Sequence, residues 1–98
     1  IGVSVNPEKE IEEIKLWVDK EQLPYTLSKP LHQSQTLIKT NDDGSAIISI
    51  KVKLNFELIQ LLLSFGERVI VLSPLALKEE ILSRLKKNIE KYQLVQID

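Results

Sequence analysis

Residues 46–54 read "AIISIKVKL", the cleanest alternation in the chain. Ile48, Ile50, Val52 and Leu54 fall on one side of an extended backbone, and Ile47, Ser49, Lys51 and Lys53 fall on the other. A period of two over this length is the pattern of a half-buried strand, with one core face and one mostly wet face. Immediately upstream, "NDDGS" (residues 41–45) supplies the residue types that tolerate positive φ in a hairpin turn. Thr36–Thr40 carries enough β-branched residues to be the partner strand of that hairpin.

Downstream of residue 54, Asn55 is a good N-cap for a crowded apolar helix, "FELIQLLLSF", which is expected to be largely buried. Gly66 stands where a left-handed C-terminal cap is wanted. "RVIVL" reads as a short strand. Ser73 and Pro74 then offer an N-cap followed by a proline in the first helical position. The helix that follows has a stripe of Leu77, Ile81, Leu85, Ile89 and Tyr92, stepping by four, four, four and three along one face. The tail "LVQID" could form a further extended segment.

At the other end, after a polar lead-in with Asn6 and Pro7, "IEEIKLWV" alternates Ile14, Leu16 and Val18 against Lys15 and Trp17, a first strand. Asp19 can cap a helical segment running through Ser28, but Pro24 lies inside it, so a short or broken helix is expected. The order strand, helix, strand, strand, helix, strand, helix predicts an α+β fold. It is the ferredoxin-like split βαββαβ, a four-stranded antiparallel sheet with helices on one face, plus a C-terminal helix. Strands one and three should lie side by side in the middle. The uncovered face, bearing Lys15, Trp17, Ser49, Lys51 and Lys53, is left for a partner.

Ninety-eight residues make one domain, expected to span 1–98. Thirteen basic against fourteen acidic residues argue against coating nucleic acid by bulk charge, although a local basic face stays open. With no cysteine there is no thiolate nucleophile and no disulfide or sulfur-bound metal site. No apolar run approaches the roughly 20 residues that span a bilayer, and no export signal is visible. The chain opens on Ile1 and contains no methionine, which reads as a piece of a longer polypeptide.

Chemistry is sparse. His32 is the sole histidine, and the nearest carboxylates, Asp42 and Asp43, sit in a turn with its own structural reason to exist, so no metal site is expected. Ser34, His32 and Asp43 could be enlisted as a triad, but no glycine-rich nucleophile elbow accompanies them. Gly2, Gly44 and Gly66 are isolated, so there is no phosphate-cradling loop and no cofactor is expected. "HQSQ" (residues 32–35) therefore reads first as architecture, with His32 and Gln35 steering the chain after Pro30 into the sheet. A competing reading makes the open sheet face a single-stranded nucleic-acid platform. Trp17 would stack on a base while Lys15, Lys51 and Lys53 meet phosphates, without the paired aromatics such modules rely on.

The ordered run "LHQSQTLIKTNDDGSAIISIKV", then "NFELIQLLLSFGERVIVLSPLALKEEILSRL" and a closing "KY", resembles the C-terminal extension (WCX) domain of bacterial WYL-domain transcriptional regulators. His32, Ser34 and Gln35 match the family's His-x-Ser-Gln element, and Asp43 and Gly44 its acidic-glycine turn. Asn55, Glu57 and Leu58 match the helix start, while Phe65, Gly66, Val69, Val71, Pro74 and Leu77 match the rest. Leu31 departs, since many relatives have an aromatic residue there. The resemblance implies a non-enzymatic, cytoplasmic module that helps regulators form homodimers and packs beside the WYL barrel of the same polypeptide. It implies DNA contact only through a winged helix-turn-helix outside this sequence, and a nucleotide or single-stranded nucleic-acid effector as a candidate.

Overall fold

A computed structural model of the chain describes residues 10–96. The lead-in with Asn6 and Pro7, Gly2, the end of the tail at Ile97 and Asp98, and so the limits of the expected domain, lie outside the described residues. Four strands, β1 (Glu12–Val18), β2 (Thr36–Thr40), β3 (Ala46–Val52) and β4 (Val69–Ser73), form one sheet in the order β2-β3-β1-β4. Each neighbouring pair is antiparallel. Three α-helices, α1 (Leu23–Ser28), α2 (Phe56–Ser64) and α3 (Leu75–Leu94), complete the split βαββαβ plus C-terminal helix expected from the sequence.

The register of β1 on β3 places Ile14 opposite Ile50, Leu16 opposite Ile48 and Val18 opposite Ala46, and all six are buried. Val69 and Val71 extend this face on β4, and Leu58, Ile59, Leu62 and Leu77 of the helices close over it. Burial is asymmetric across the sheet. Both α2 and α3 lie against β4, so the far edge strand β2 is exposed along its whole length, including Leu37 and Ile38. β3 ends at Val52, two residues earlier than its alternation suggests, because Glu12 is the last residue of β1 to pair with it.

Helix boundaries follow local hydrogen bonding. Asp19 Oδ1 accepts from the Gln22 N–H at 2.6 Å, so Asp19 closes a turn ahead of α1 and is not its cap. Pro24 then lies in the helix's first turn, where a missing N–H costs nothing, and it starts the helix where a break was expected. Asn55 caps α2 as expected, its Oδ1 accepting from the Leu58 N–H at 2.8 Å. Gly66 has φ +61° and turns the chain out of α2 into a short 3₁₀ turn before β4. α2 is not buried all round: Leu58, Ile59 and Leu62 point inward, while Phe56 and Leu61 are exposed.

At the start of α3 the N-cap position belongs to Pro74 and not Ser73, which is the last residue of β4. Without a side-chain cap, α3 is fastened by Arg84. Its Nε donates to Glu80 Oε2 at 2.7 Å, and its guanidinium lies 5.3 Å from the centre of the Phe56 ring on α2. The expected stripe is core only at its beginning. Leu77 is fully buried and Ile81 partly so, whereas Leu85, Ile89 and Tyr92 are 40%, 58% and 79% exposed.

The hairpin between β2 and β3 is closed by side chains as well as backbone. Asn41 N–H donates to Ser45 O at 2.8 Å, and Gly44 N–H to Asn41 O at 3.1 Å. Asp43 Oδ1 accepts both the Ser45 N–H (2.9 Å) and the Ser45 hydroxyl (2.6 Å). The Ser45 hydroxyl and backbone N–H therefore hold the Asp43 carboxyl below its ordinary range. Such a group stabilises the fold fully above its unfolded pKa, near 4, and loses that contribution as pH falls through the lowered value. Replacing Asp43 by Asn is expected to flatten the acid limb of a stability-versus-pH curve below about pH 4, measured by thermal melts across pH. Gly44 has φ +92°, and an added Cβ would stand 3.1 Å from Lys20 Cβ. Gly44→Val should cost about 1–3 kcal/mol in urea denaturation.

Candidate functional site: the open sheet face

The face turned away from the helices is built by the outward positions of β1, β3 and β4, and the register divides it into two halves. One half is apolar: Trp17 lies between Ile47 on β3 and Ile70 on β4, with Leu72 further along β4. Ile70 and Leu72 are 43% and 39% exposed, while Trp17 and Ile47 are half-buried. The other half is polar. Lys15 is opposite Ser49, and Glu13 is opposite Lys51.

Ser49 does not behave as the wet residue its position suggests. It is buried at 2% exposure, and its hydroxyl donates to Glu13 Oε2 at 2.9 Å. That pair lies on the two central strands, with Lys15 of β1 and Thr36 of β2 on either side of Ser49, and only the serine is buried, Glu13 itself being exposed. Glu13 puts a carboxylate among the lysines of this half. It escapes sequence reading because the alternation of the first strand is carried by Ile14 to Val18, and Glu13 stands just before it. Ile70 and Leu72 are missed for a different reason: an uninterrupted apolar run, "VIVL", has no polar partner positions from which to read a face.

The lysines and the tryptophan do not converge. Lys51 and Trp17 stand at opposite ends of the face, because Lys51 pairs with Glu13, four residues and about 13 Å along β1 from Trp17. Lys53 lies beyond the end of β3. Beside Trp17 is a shallow cleft lined by Asp19, Lys20, Glu21, Asp43 and Ser45, three carboxylates against one ammonium. An anion would meet repulsion there.

The "HQSQ" residues border the polar end. The Ser34 hydroxyl accepts from the Lys51 N–H at 2.7 Å and also lies 3.2 Å from the Lys51 carbonyl, extending the β2–β3 ladder by one side-chain rung. His32 Nδ1 accepts from the Ser34 N–H at 3.1 Å and is 2.7 Å from the Ser34 hydroxyl, so the proton of the neutral ring resides on Nε2. Gln35 works on the other side: its Oε1 accepts from the Leu31 N–H (2.9 Å), and its Nε2 donates to the Thr26 carbonyl of α1 (3.0 Å). Gln35 thus ties α1 to the start of β2, while the link to the sheet runs through Ser34 and only secondarily through His32.

Among the described residues no group of His, Asp or Glu is placed to hold a metal ion, and no helix is long and apolar enough to cross a membrane. Ser34 and Asp43 do not form a triad with His32: Asp43 is engaged by Ser45 in the hairpin, and Ser34 is spent on the backbone of Lys51. Because Ser34→Ala strips two Lys51 backbone groups of a partner, it is expected to cost about 1–2 kcal/mol. His32→Ala should cost about 1 kcal/mol or less, both read by urea denaturation.

The search of curated proteins returns no match for the chain. The family model of the WCX domain matches residues 10–88, from just before β1 through most of α3, and so takes in the whole sheet, its open face and the Ser34 clasp. By that match the chain belongs to the WCX domain family, a domain of WYL-type regulators.

Proposed function

We propose that this chain is the C-terminal dimerisation and effector-sensing module of a bacterial WYL-family transcriptional regulator, acting in the cytoplasm and carrying out no reaction of its own. Family membership sets the context. The observation that carries the reading is the open sheet face, where Ile47, Trp17 and Ile70 form an apolar row across three strands. A row of this kind beside a polar half with Lys15, Glu13 and Lys51 has the make-up of an interface core with its rim. Its natural occupant is the WYL barrel of the same polypeptide, with the effector held between barrel and sheet. His32, Ser34 and Gln35 contribute by setting the position of Lys51 and the rim. DNA is reached through the winged helix-turn-helix of the longer protein, not through this module.

The single-stranded nucleic-acid reading draws less support, since Trp17 has carboxylates for neighbours and stands far from Lys51 and Lys53. The two readings separate in one experiment. Isotope-labelled chain is titrated with the unlabelled barrel and, separately, with a short oligonucleotide at low salt. Trp17 is the sole tryptophan, so its indole N–H is a single unambiguous resonance. The barrel is expected to shift that resonance together with the amides of Ile47 and Ile70. Trp17→Ala should weaken the interaction about tenfold or more, as loss of a central aromatic does. A barrel that leaves these three resonances unmoved, or an oligonucleotide that alone moves them, overturns the proposal.

A further inference from the structure

The second half of α3 carries its charges unevenly. Arg84, Lys87, Asn88 and Lys91 follow one another at spacings of three, one and three, so they share one face of the helix. With Leu85 and with Leu63 of α2 they line an open groove that holds three cations, an amide and two leucines, and no carboxylate. Glu80 stands on the same face ahead of the groove, where Arg84 engages it. Glu90, next to Lys91 in sequence, is turned about 100° away from it round the helix. Lys87 and Lys91 are exposed and have no ion-pair partner among the described residues. The net charge of the groove is therefore theirs.

Arg84 distinguishes this face from a merely solvated one. Its Nε donates to Glu80 Oε2 at 2.7 Å and its guanidinium lies 5.3 Å from the centre of the Phe56 ring, so the side chain is ordered before any partner arrives. Its two terminal amines have no hydrogen-bond partner among the described residues. An ordered fork with free N–H groups takes up an oxyanion without the entropy cost that a loose side chain incurs. Lys87 and Lys91, one turn apart, repeat the positive charge about 6 Å further along the axis. A single small anion would leave most of this length unused. The leucines decide between the two kinds of polyanion. A phosphodiester backbone offers polar sugars between its charges, whereas a peptide with apolar side chains between its carboxylates covers Leu63 and Leu85 and meets the cations at once. We propose that this groove docks an acidic segment of a partner protein, its carboxylates on Arg84, Lys87 and Lys91 and its apolar side chains on the two leucines. The groove lies on the helix layer, apart from the sheet face that displays Trp17, so this docking and that of the barrel stand or fall separately.

The test uses the whole chain at low salt with fluorescein-labelled probes: a short helical peptide in which glutamates one turn apart alternate with leucines, the same peptide with glutamine for glutamate, and a thymidine oligonucleotide. Fluorescence anisotropy is expected to show binding of the glutamate peptide that weakens with added salt, and binding of the glutamine peptide weaker by about tenfold or more. Lys87→Glu with Lys91→Glu should lower the affinity for the glutamate peptide by about tenfold or more and raise that for a version carrying lysine in place of glutamate. Both lysines are exposed, and an unaltered melting temperature verifies the fold. Leu85→Ser should weaken the glutamate peptide severalfold. In isotope-labelled chain that peptide should shift the amides of Arg84 to Lys91 and leave the Trp17 indole N–H unmoved. Equal binding of the glutamate and glutamine peptides, binding indifferent to the double charge reversal, an oligonucleotide bound more tightly than the peptide, or no binding of any probe overturns the proposal. A shift of the Trp17 indole in place of these amides overturns it as well, by placing the acidic segment on the sheet face.

Discussion

The pairing of β1 with β3 is the constraint from which the rest of the molecule follows. Three consecutive cross-strand pairs, Ile14 with Ile50, Leu16 with Ile48 and Val18 with Ala46, put six side chains at essentially zero exposure in the centre of the sheet. Strand side chains have a period of two, so a slip of one residue would turn Lys15 and Trp17 into the core and lift Leu16 out to water. The register that buries Leu16 is therefore the one that displays Trp17. Core and open face are a single choice, made by the same alternation and enforced by the cost of burying a lysine.

Where a segment's role depends on that alternation or on a single cap, the sequence is a good guide. The hairpin at Asn41–Ser45 and the Asn55 cap stand where local chemistry alone puts them, since each is stabilised within a few residues of itself, and β3 stands where its alternation puts it except for its last two residues. What could not be read depends on neighbours distant in sequence. Ser49 looks wet from its own strand and is buried by Glu13, thirty-six positions away. The stripe of α3 continues regularly from Leu77 to Tyr92, but only the sheet's outline decides that its core part ends near Ile81. β2 has the composition of a strand and not the information that both helices would settle over the opposite edge. Ser73 and Pro74 resemble a cap and a first helical residue, yet pairing with Lys15 keeps Ser73 in β4.

The lone histidine illustrates how an apparent catalytic word becomes architecture. Each end of an edge strand leaves backbone groups that need partners, and at the start of β2 those of Lys51 have none on the strand itself. A serine hydroxyl both accepts and donates, so Ser34 can satisfy a backbone N–H and lie against a carbonyl at once, which no carboxylate or lysine could do. His32 then holds that serine by accepting from its backbone N–H. The His-x-Ser spacing is needed because the imidazole must reach back over one residue to the serine. Gln35 completes the clasp by addressing α1 with the two ends of one amide. The spacing is conditioned by backbone geometry, and no substrate is required to account for it.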